Sequence, residues 1–276
     1  MKSKILYTVA LSGLLLSSCN DWLDVNHSPN NALQSTVTND LLLSSVQNNI
    51  NFVRIADDAN IHFMSQHWTK SGDVSGTYTF LTGQIMPQNV DNFWDYRYER
   101  MANLITIKNK AVEAEDPGYN AIATTLMVVE FRELVDMFNN VPYTEALNPS
   151  IPSPVYDDGA TIYKGILAEL DEALGKVSGS ETVVTNFLFP SATASKWIQF
   201  ANALKLRILM RMSNVENVQS QLASLIAENN FPTADVCFAN CWANESGKAN
   251  PFFWEELSPT SGTQKNVILN IALCKT

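Results

Sequence analysis

Two long helical patterns joined by a very short turn constrain the fold of this chain more than any other feature of its sequence. The turn is Asp116-Pro117-Gly118, and apolar residues recur at helical spacing on both sides of it. Because the connection is so short, the two helices must lie side by side and antiparallel. The sequence therefore predicts a helical hairpin in the middle of the chain. Its apolar stripes comprise Trp94, Tyr98, Met101, Ile105 and Val112 before the turn and Met127, Phe131, Leu134 and Phe138 after it.

Four further segments carry the same helical period, and no segment longer than a few residues alternates strictly with period two. We therefore expect an all-α fold of helical hairpins with long ordered loops. Hairpins in series are typical of tetratricopeptide-like repeats, and these are degenerate because the strict signature of that repeat is absent. Trp197 falls on a stripe and is expected in the core. The four stripes are Leu42, Val46, Ile50 and Val53; Ile162, Ile166, Leu170 and Leu174; Trp197, Ala201, Leu204, Ile208 and Met212; and Val218, Leu222 and Leu225.

The segment from residue 57 to residue 90 has no sustained period and is far longer than an ordinary connection. Loops above about 12–15 residues are usually functional or disordered. This one holds Trp68, Tyr78 and Phe80, whereas disordered segments contain few aromatic residues. We therefore expect an ordered, functional loop.

The N-terminal residues have the features of an export signal. Lys2 and Lys4 precede the apolar run 5–16, which is too short to span a bilayer comfortably. The sequence Leu16-Ser17-Ser18-Cys19 then resembles the bacterial lipobox, in which the cysteine thiol carries the lipid. We therefore expect residues 1–18 to be a lipoprotein signal peptide and Cys19 to be the lipidated N-terminus. An ordinary signal peptide with an incidental cysteine is the alternative.

Charge and motif content argue against several functions. The formal net charge is −10, whereas nucleic-acid binding needs a concentrated positive patch. The motifs of serine hydrolases, zinc proteases and phosphate-binding loops are absent from the sequence. We expect no catalysis, no cofactor, no metal site and no nucleic-acid partner. Three adjacent carboxylate pairs are expected to be solvated surface, namely Asp57-Asp58, Asp157-Asp158 and Glu255-Glu256.

Several segments, in order along the chain, resemble one bacterial family. Asp21-Trp22-Leu23-Asp24-Val25-Asn26, followed by Ser28-Pro29-Asn30, resembles the opening of its mature proteins. The most specific match is segment 133–138 leading into segment 141–147, which reads Val-Pro-Tyr-Thr-Glu-Ala-Leu. The helix that contains residues 200–207 resembles the family's next helix. On these residues the chain resembles the SusD/RagB family of surface glycan- and nutrient-binding lipoproteins of Bacteroidota.

The resemblance implies a SusD-like all-α fold and a role in binding rather than in chemistry. It implies a lipoprotein anchored in the outer-membrane lipid, facing the cell surface, that captures an extracellular oligosaccharide. The implied partner is a SusC-like TonB-dependent transporter that receives the ligand. Two alternatives stay open: the capture of peptides on the same scaffold, and a helical-repeat adaptor without a small ligand.

The candidate ligand-binding residues are aromatic and amide side chains near the 57–90 loop. A sugar ring stacks its apolar C–H face on a flat aromatic ring, and amide or carboxylate groups then fix its hydroxyls. The family draws part of its ligand contacts from this region. We therefore assign Trp68, Tyr78, Asn92 and Trp94 as candidates. The competing interpretation makes Trp68 a loop anchor and Trp94 a core residue, since Trp94 lies on the apolar stripe.

The segment around Pro142 is interpreted as structural rather than ligand-binding. Proline disfavours helical backbone at Val141 and so turns the chain. We also expect basic residues near the polar side of the later helix to pair with acids such as Asp136 or Glu145. Those basic residues are Lys205, Arg207 and Arg211.

The resemblance covers nearly all of the chain up to about Pro251. It divides the chain into the signal peptide 1–18, the N-terminal part of a SusD-like domain at 19–251, and an incomplete or divergent C-terminal tail at 252–276. Family members continue well beyond this length with a further ligand-contributing half. The sequence is therefore expected to be truncated at its C-terminus.

Overall fold

Six helices make up most of the part of the chain that the structure describes. The computed structural model describes residues 37–50, 65–66, 68–70, 83–84, 90–179, 181, 188–189, 193–238, 242–243, 245 and 271–273. The helices are α1 (39–50), α2 (Asp91–Glu113), α3 (Pro117–Phe138), α4 (Gly159–Leu174), α5 (Ala194–Met212) and α6 (Gln219–Glu228).

Two three-residue strands, β1 (Trp68–Lys70) and β2 (Ile271–Leu273), pair antiparallel beside these helices. All of these elements belong to the second of the two units into which the chain divides, Met1–Thr38 and Asn39–Thr276. None of the helices in the described ranges is long and apolar enough to cross a membrane. The prediction of an all-α fold of helical hairpins is confirmed.

The hairpin predicted from the sequence is formed by α2 and α3. Asp116 caps α3, because its side chain accepts a hydrogen bond from the backbone N–H of Tyr119 (3.1 Å), and Pro117 suits the first helical position. Arg97 near the start of α2 pairs with Glu133 near the end of α3 (2.8 Å), so the two helices run antiparallel.

The central helix of the fold is α3, which contacts α2, α4 and α5. Nearly every residue from Gly118 to Val135 is buried. A helix with neighbours on several sides needs apolar residues on more than one face. This requirement explains why Ile122, Leu126 and Val129 lie beside the first apolar stripe of this segment.

The predicted core position of Trp197 is confirmed. Its residue surface is only 1% exposed, in the first turns of α5. The rings of Phe189 and Phe200 approach it edge to face, with centroids at 5.2 Å and 6.2 Å. Such ring contacts stabilise a core beyond the area that they bury.

The turn after α3 is held by Asp157, so this segment has the structural role that the sequence predicts. Val141 and Asp157 exchange backbone hydrogen bonds (3.2 Å and 3.0 Å). The Asp157 carboxylate also accepts hydrogen bonds from the backbone N–H groups of Tyr143 (3.0 Å) and Thr144 (2.8 Å). Asp158 is exposed, as expected of solvated surface, and its side chain caps α4, whereas Asp157 is half-buried and fixes this turn.

Two of the basic residues on α5 pair with acids, one of them as predicted. Arg211 lies 3.1 Å from Asp136, whereas Lys205 pairs with Asp171 on α4 (2.6 Å). Glu145 was the other expected acid, but its carboxylate accepts a hydrogen bond from the backbone N–H of Val155 (2.9 Å). The Glu145 carboxylate is thus bound to the backbone of its own loop rather than to a basic residue of α5.

A buried ion-pair network joins α2 to α3. Arg100 donates two hydrogen bonds to the carboxylate of Glu130, at 3.0 Å and 2.7 Å, and the Glu130 side chain is only 1% exposed. Arg97 lies 3.9 Å from the same carboxylate and pairs with Glu133, and its guanidinium covers the ring of Phe93. Burial raises the pKa of Glu130, and the two arginines act against that rise. Two buried cations therefore share Glu130 as a counter-charge.

Candidate functional site

The structure describes the candidate residues unequally. Cys19 and Tyr78 lie outside the described residues. The backbone of Trp68 begins β1 and is paired with Leu273 of β2. Asn92 and Trp94 both lie in the first turn of α2. The geometry of a site can therefore be built around Trp94.

Asn92 and Trp94 do not face the same side of α2. Residues two apart on a helix point in nearly opposite directions, whereas residues three or four apart are neighbours. Asn92 is exposed on its own side of the helix. The neighbours of Trp94 on α2 include Asp91, Arg97 and Tyr98. Of the two charged residues Arg97 is buried and Asp91 is exposed, so Asp91 is the one that can reach a ligand in solvent.

Trp94 belongs to a group of four aromatic rings that we call the aromatic cluster: Trp94, Tyr98, Phe138 and Tyr156. The ring centroids of Tyr98 and Phe138 lie 5.1 Å and 5.2 Å from that of Trp94. Tyr156 stacks on Trp94 with centroids 6.0 Å apart and an interplanar angle of 26°. Trp94 is half-buried and packs against the core, so the core interpretation holds for part of its surface.

Tyr156 is the member of the cluster that is open to solvent. It is 64% exposed, although aromatic side chains usually bury most of their surface. Its neighbour Val155 is also exposed, at 53%. One side of the tyrosine ring rests on Trp94, so the other side is available to a ligand.

A hydrogen bond of Tyr98 holds the aromatic cluster in place. The phenol of Tyr98 donates a hydrogen bond to the backbone carbonyl of Pro142 (2.7 Å). Burial, reinforced by Tyr156 and Asp157, raises the pKa of Tyr98, so this phenol stays neutral and keeps donating. The bond ties the loop after α3 to the face of α2, and the loop in turn carries Tyr156. The ring platform is therefore preformed.

A second concave feature lies farther along α2, and we call it the α2–α4 cavity. Its volume is about 460 Å³. At its polar edge Tyr143 donates a hydrogen bond to Glu169 (2.5 Å), and Lys108 lies 2.9 Å from the other oxygen of that carboxylate. Burial, together with Glu169, raises the pKa of Tyr143, so this phenol is also neutral. The apolar side of the cavity is formed by Ile105, Met127, Phe131 and Leu147.

The cavity and the aromatic cluster are connected by ring contacts. Tyr98 packs edge to face on Phe131 with centroids 6.5 Å apart, and Phe131 packs on Tyr143 at 5.1 Å. The rings thus form a row from the exposed Tyr156 to Tyr143 at the cavity, and this row passes through the buried Phe131.

The sequence also matches a family model over residues 29–256, which is most of the chain. That family is described as starch-binding and associating with the outer membrane. The chain belongs to the SusD-like family. The resemblance seen in the sequence motifs is therefore confirmed.

Solved structures share this SusD-like fold. A SusD/RagB family protein from Bacteroides thetaiotaomicron has a TM-score of 0.67 at 20% identity, covering 80% of this chain and 48% of that one. A SusD homolog from Bacteroides fragilis has a TM-score of 0.56 at 18% identity, covering 82% and 48%. A chitin-binding protein has a TM-score of 0.57 at 25% identity, covering 70% and 43%.

The SusD-like chain spans about half the length of the solved structures that it matches. No curated protein matches it. The fold is therefore shared with these structures over about half of their length.

Tyr156 and the α2–α4 cavity are the features of this SusD-like chain that the sequence analysis missed. Tyr156 lies in a proline-rich segment without helical period, so no stripe placed it beside Trp94. Tyr143 belongs to the motif that was assigned a structural role only. One signal in the sequence could have identified Tyr156. It directly precedes Asp157, whose carboxylate accepts a hydrogen bond from the turn after α3 and so brings this segment close to α2 and α3.

A glycine on α4 allows Tyr143 to reach the cavity, and its replacement gives a testable prediction. A Cβ atom on Gly165 would lie 2.5 Å from the ring and the hydroxyl of Tyr143. We expect Gly165→Ala to lower the free energy of unfolding by about 1–3 kcal/mol, the usual cost of overpacking, despite alanine's better helix propensity. Urea unfolding measures the change.

The matched control for Gly165→Ala is the same substitution in a Tyr143→Leu background. The loss should be smaller there, because the ring that the new methyl group strikes is gone. An equal loss in both backgrounds, or an alanine variant more stable than the wild type, would contradict the close approach of Gly165 and Tyr143.

Proposed function

We propose that this chain binds an extracellular oligosaccharide at the cell surface and passes it to a SusC-like TonB-dependent outer-membrane transporter. The observation that carries the proposal is the exposed Tyr156 ring stacked on Trp94, in a family described as starch-binding. The work required is capture and transfer, which needs binding groups rather than catalytic ones.

The aromatic cluster has the chemistry of a sugar platform. A pyranose ring would stack its C–H face on the solvent side of Tyr156, with Trp94 supporting the tyrosine from behind. Asp91, on the same side of α2 as Trp94, would accept hydrogen bonds from the sugar hydroxyls. Trp68 and Tyr78 are proposed to add contacts from the 57–90 segment, and Asn92 to serve from its own side of α2.

Ligand class is tested by calorimetric titration of the 276-residue chain with three ligands: a malto-oligosaccharide, a chito-oligosaccharide and a pool of unstructured peptides. The first two follow the printed descriptions of the family and of the chitin-binding structure. Saturable binding of an oligosaccharide without peptide binding is the expected result. Binding of peptides alone would favour the peptide alternative, and binding of none would leave the helical adaptor; either outcome overturns the proposal.

Anchoring at the outer membrane is proposed to depend on Cys19. Two or more acyl chains suffice for stable attachment, at about 0.8 kcal/mol per buried methylene group. We expect Cys19→Ala to leave the protein unprocessed or soluble when membranes are fractionated. Ser18→Ala keeps a small residue before the cysteine and is the matched control. If the Cys19→Ala protein sediments with outer membranes like the wild type in cells without a transporter partner, the anchor assignment is wrong.

A further inference from the structure

We propose that the α2–α4 cavity binds the acetamido group of a 2-acetamido sugar. This inference rests on the proposed function, because it names the class of sugar that an oligosaccharide-binding chain takes at this second place.

The cavity has the dimensions of a small-molecule site. Its volume of about 460 Å³ lies within the range of about 300–1,000 Å³ that is typical of ligand pockets. Such pockets combine apolar walls with a few placed polar groups. The cavity has this composition, and Lys108, Tyr143 and Glu169 lie together at one edge of it.

A hydrogen-bond donor and an acceptor lie next to each other at that edge. Lys108 Nζ is 2.9 Å from Glu169 Oε2. An ammonium group carries three N–H donors and a carboxylate accepts several hydrogen bonds, so both groups retain capacity for a ligand. An amide presents a carbonyl acceptor beside an N–H donor. The carbonyl would bind Lys108 while the N–H binds Glu169.

The wall facing this edge suits a methyl group. Phe131 and Met127 line the cavity and are 3% and 7% exposed, so packing fixes their positions and the small part of each that faces the cavity is carbon. A hydroxyl group pressed against that surface would lose its water without gaining a partner, which is unfavourable. The methyl group of an acetamide has no such requirement. The cavity therefore distinguishes an acetamido substituent from a hydroxyl.

The charges of the cavity favour a neutral ligand. Among the described residues that line it, Lys108 and Glu169 are the charged ones, and they neutralise each other. A carboxylate or an ammonium ligand would be attracted by one member of the pair and repelled by the other. A neutral amide is complementary to both.

The same ligand is proposed to reach both the aromatic cluster and the cavity, because packed rings join the two. Tyr98, Phe131 and Tyr143 connect it to the aromatic cluster by ring contacts of 6.5 Å and 5.1 Å. One sugar of an oligosaccharide would stack on Tyr156, and a later sugar would place its substituent in the cavity. Affinity for an oligosaccharide at the aromatic cluster and preference for a 2-acetamido group at the cavity can therefore be measured separately.

Chitotriose and cellotriose test the proposal, since both are β-1,4-linked and differ at C2, where one bears an acetamido group and the other a hydroxyl. We expect the full-length chain to bind chitotriose about tenfold more tightly in calorimetric titrations. Lys108→Met and Glu169→Gln should each lower the affinity for chitotriose to about that for cellotriose. Lys164→Met is the control, because it breaks an ion pair of α4 with Glu216 (2.6 Å) outside the cavity.

A second measurement does not depend on the variants. In saturation-transfer NMR with the wild-type chain, the acetyl methyl protons of chitotriose should receive more saturation than its ring protons. Equal affinity for the two trisaccharides, or a preference that survives both variants with native circular dichroism, would overturn the cavity assignment alone. Failure of every oligosaccharide, malto-oligosaccharides included, would overturn the proposed function together with it.

Discussion

Replacing Glu130 with alanine is expected to lower the free energy of unfolding by about 3–5 kcal/mol, because breaking a buried ion pair leaves a charge without a partner. Arg100 loses both of its hydrogen bonds to that carboxylate, at 3.0 Å and 2.7 Å, and Arg97 loses a counter-charge 3.9 Å away. The Arg100 side chain is only 4% exposed, so water cannot replace the lost partner without opening the α2–α3 interface. Urea unfolding followed by circular dichroism measures the change.

Two controls separate the buried charge from other causes. The double variant Glu130→Leu with Arg100→Met should recover much of the loss, since an apolar pair of similar volume avoids the desolvation penalty. Glu172→Gln disrupts an exposed ion pair with Lys176 and should leave the unfolding midpoint unchanged. A loss below about 1 kcal/mol for Glu130→Ala would show that the network does not hold α2 against α3.

Replacing Tyr156 with alanine is expected to weaken oligosaccharide binding by about 1–2 kcal/mol, or roughly fivefold to thirtyfold, as for aromatic residues at binding hot spots. The substitution removes a ring that is 64% exposed, so the fold should be retained. Trp94→Phe should have a smaller effect, because a ring remains behind Tyr156. Calorimetric titration with the oligosaccharide identified in the ligand panel measures both.

The matched control for the aromatic cluster is Tyr96→Ala. Tyr96 lies on the same helix and is 38% exposed, but it is two residues from Trp94 and therefore faces away from it. Its replacement should leave affinity unchanged. Equal losses for Tyr96→Ala and Tyr156→Ala would show that the loss does not come from the aromatic cluster.

The helical hairpin and the core could be predicted from the sequence because they depend on patterns among residues close together in the chain. The turn at Asp116-Pro117-Gly118 contains a cap and a proline suited to the first helical position, and Trp197 lies on an unbroken apolar stripe. The buried network was not readable in the same way. Arg100 and Glu130 occupy positions that resemble a solvated face, and only the pairing of α2 with α3 brings them together.

The candidate site was only partly readable for a similar reason. Trp94 could be identified as a candidate because it lies in the first turn of a helix, next to the long 57–90 segment. Its partner Tyr156 lies 62 positions later in a segment with no helical period. Tyr143 can pack against α4 only because Gly165 has no side chain. A glycine within a helical pattern does not by itself show which residue packs against it. Contacts between residues far apart in the sequence depend on how the helices and loops pack, and a single sequence does not show that packing.

The central claim is tested most directly by a crystal structure of the full-length chain with its bound oligosaccharide. We expect a pyranose ring parallel to the ring of Tyr156, on the side opposite Trp94, with Asp91 within hydrogen-bonding distance of a hydroxyl. A ligand bound elsewhere, with the solvent side of Tyr156 covered by protein, would contradict it.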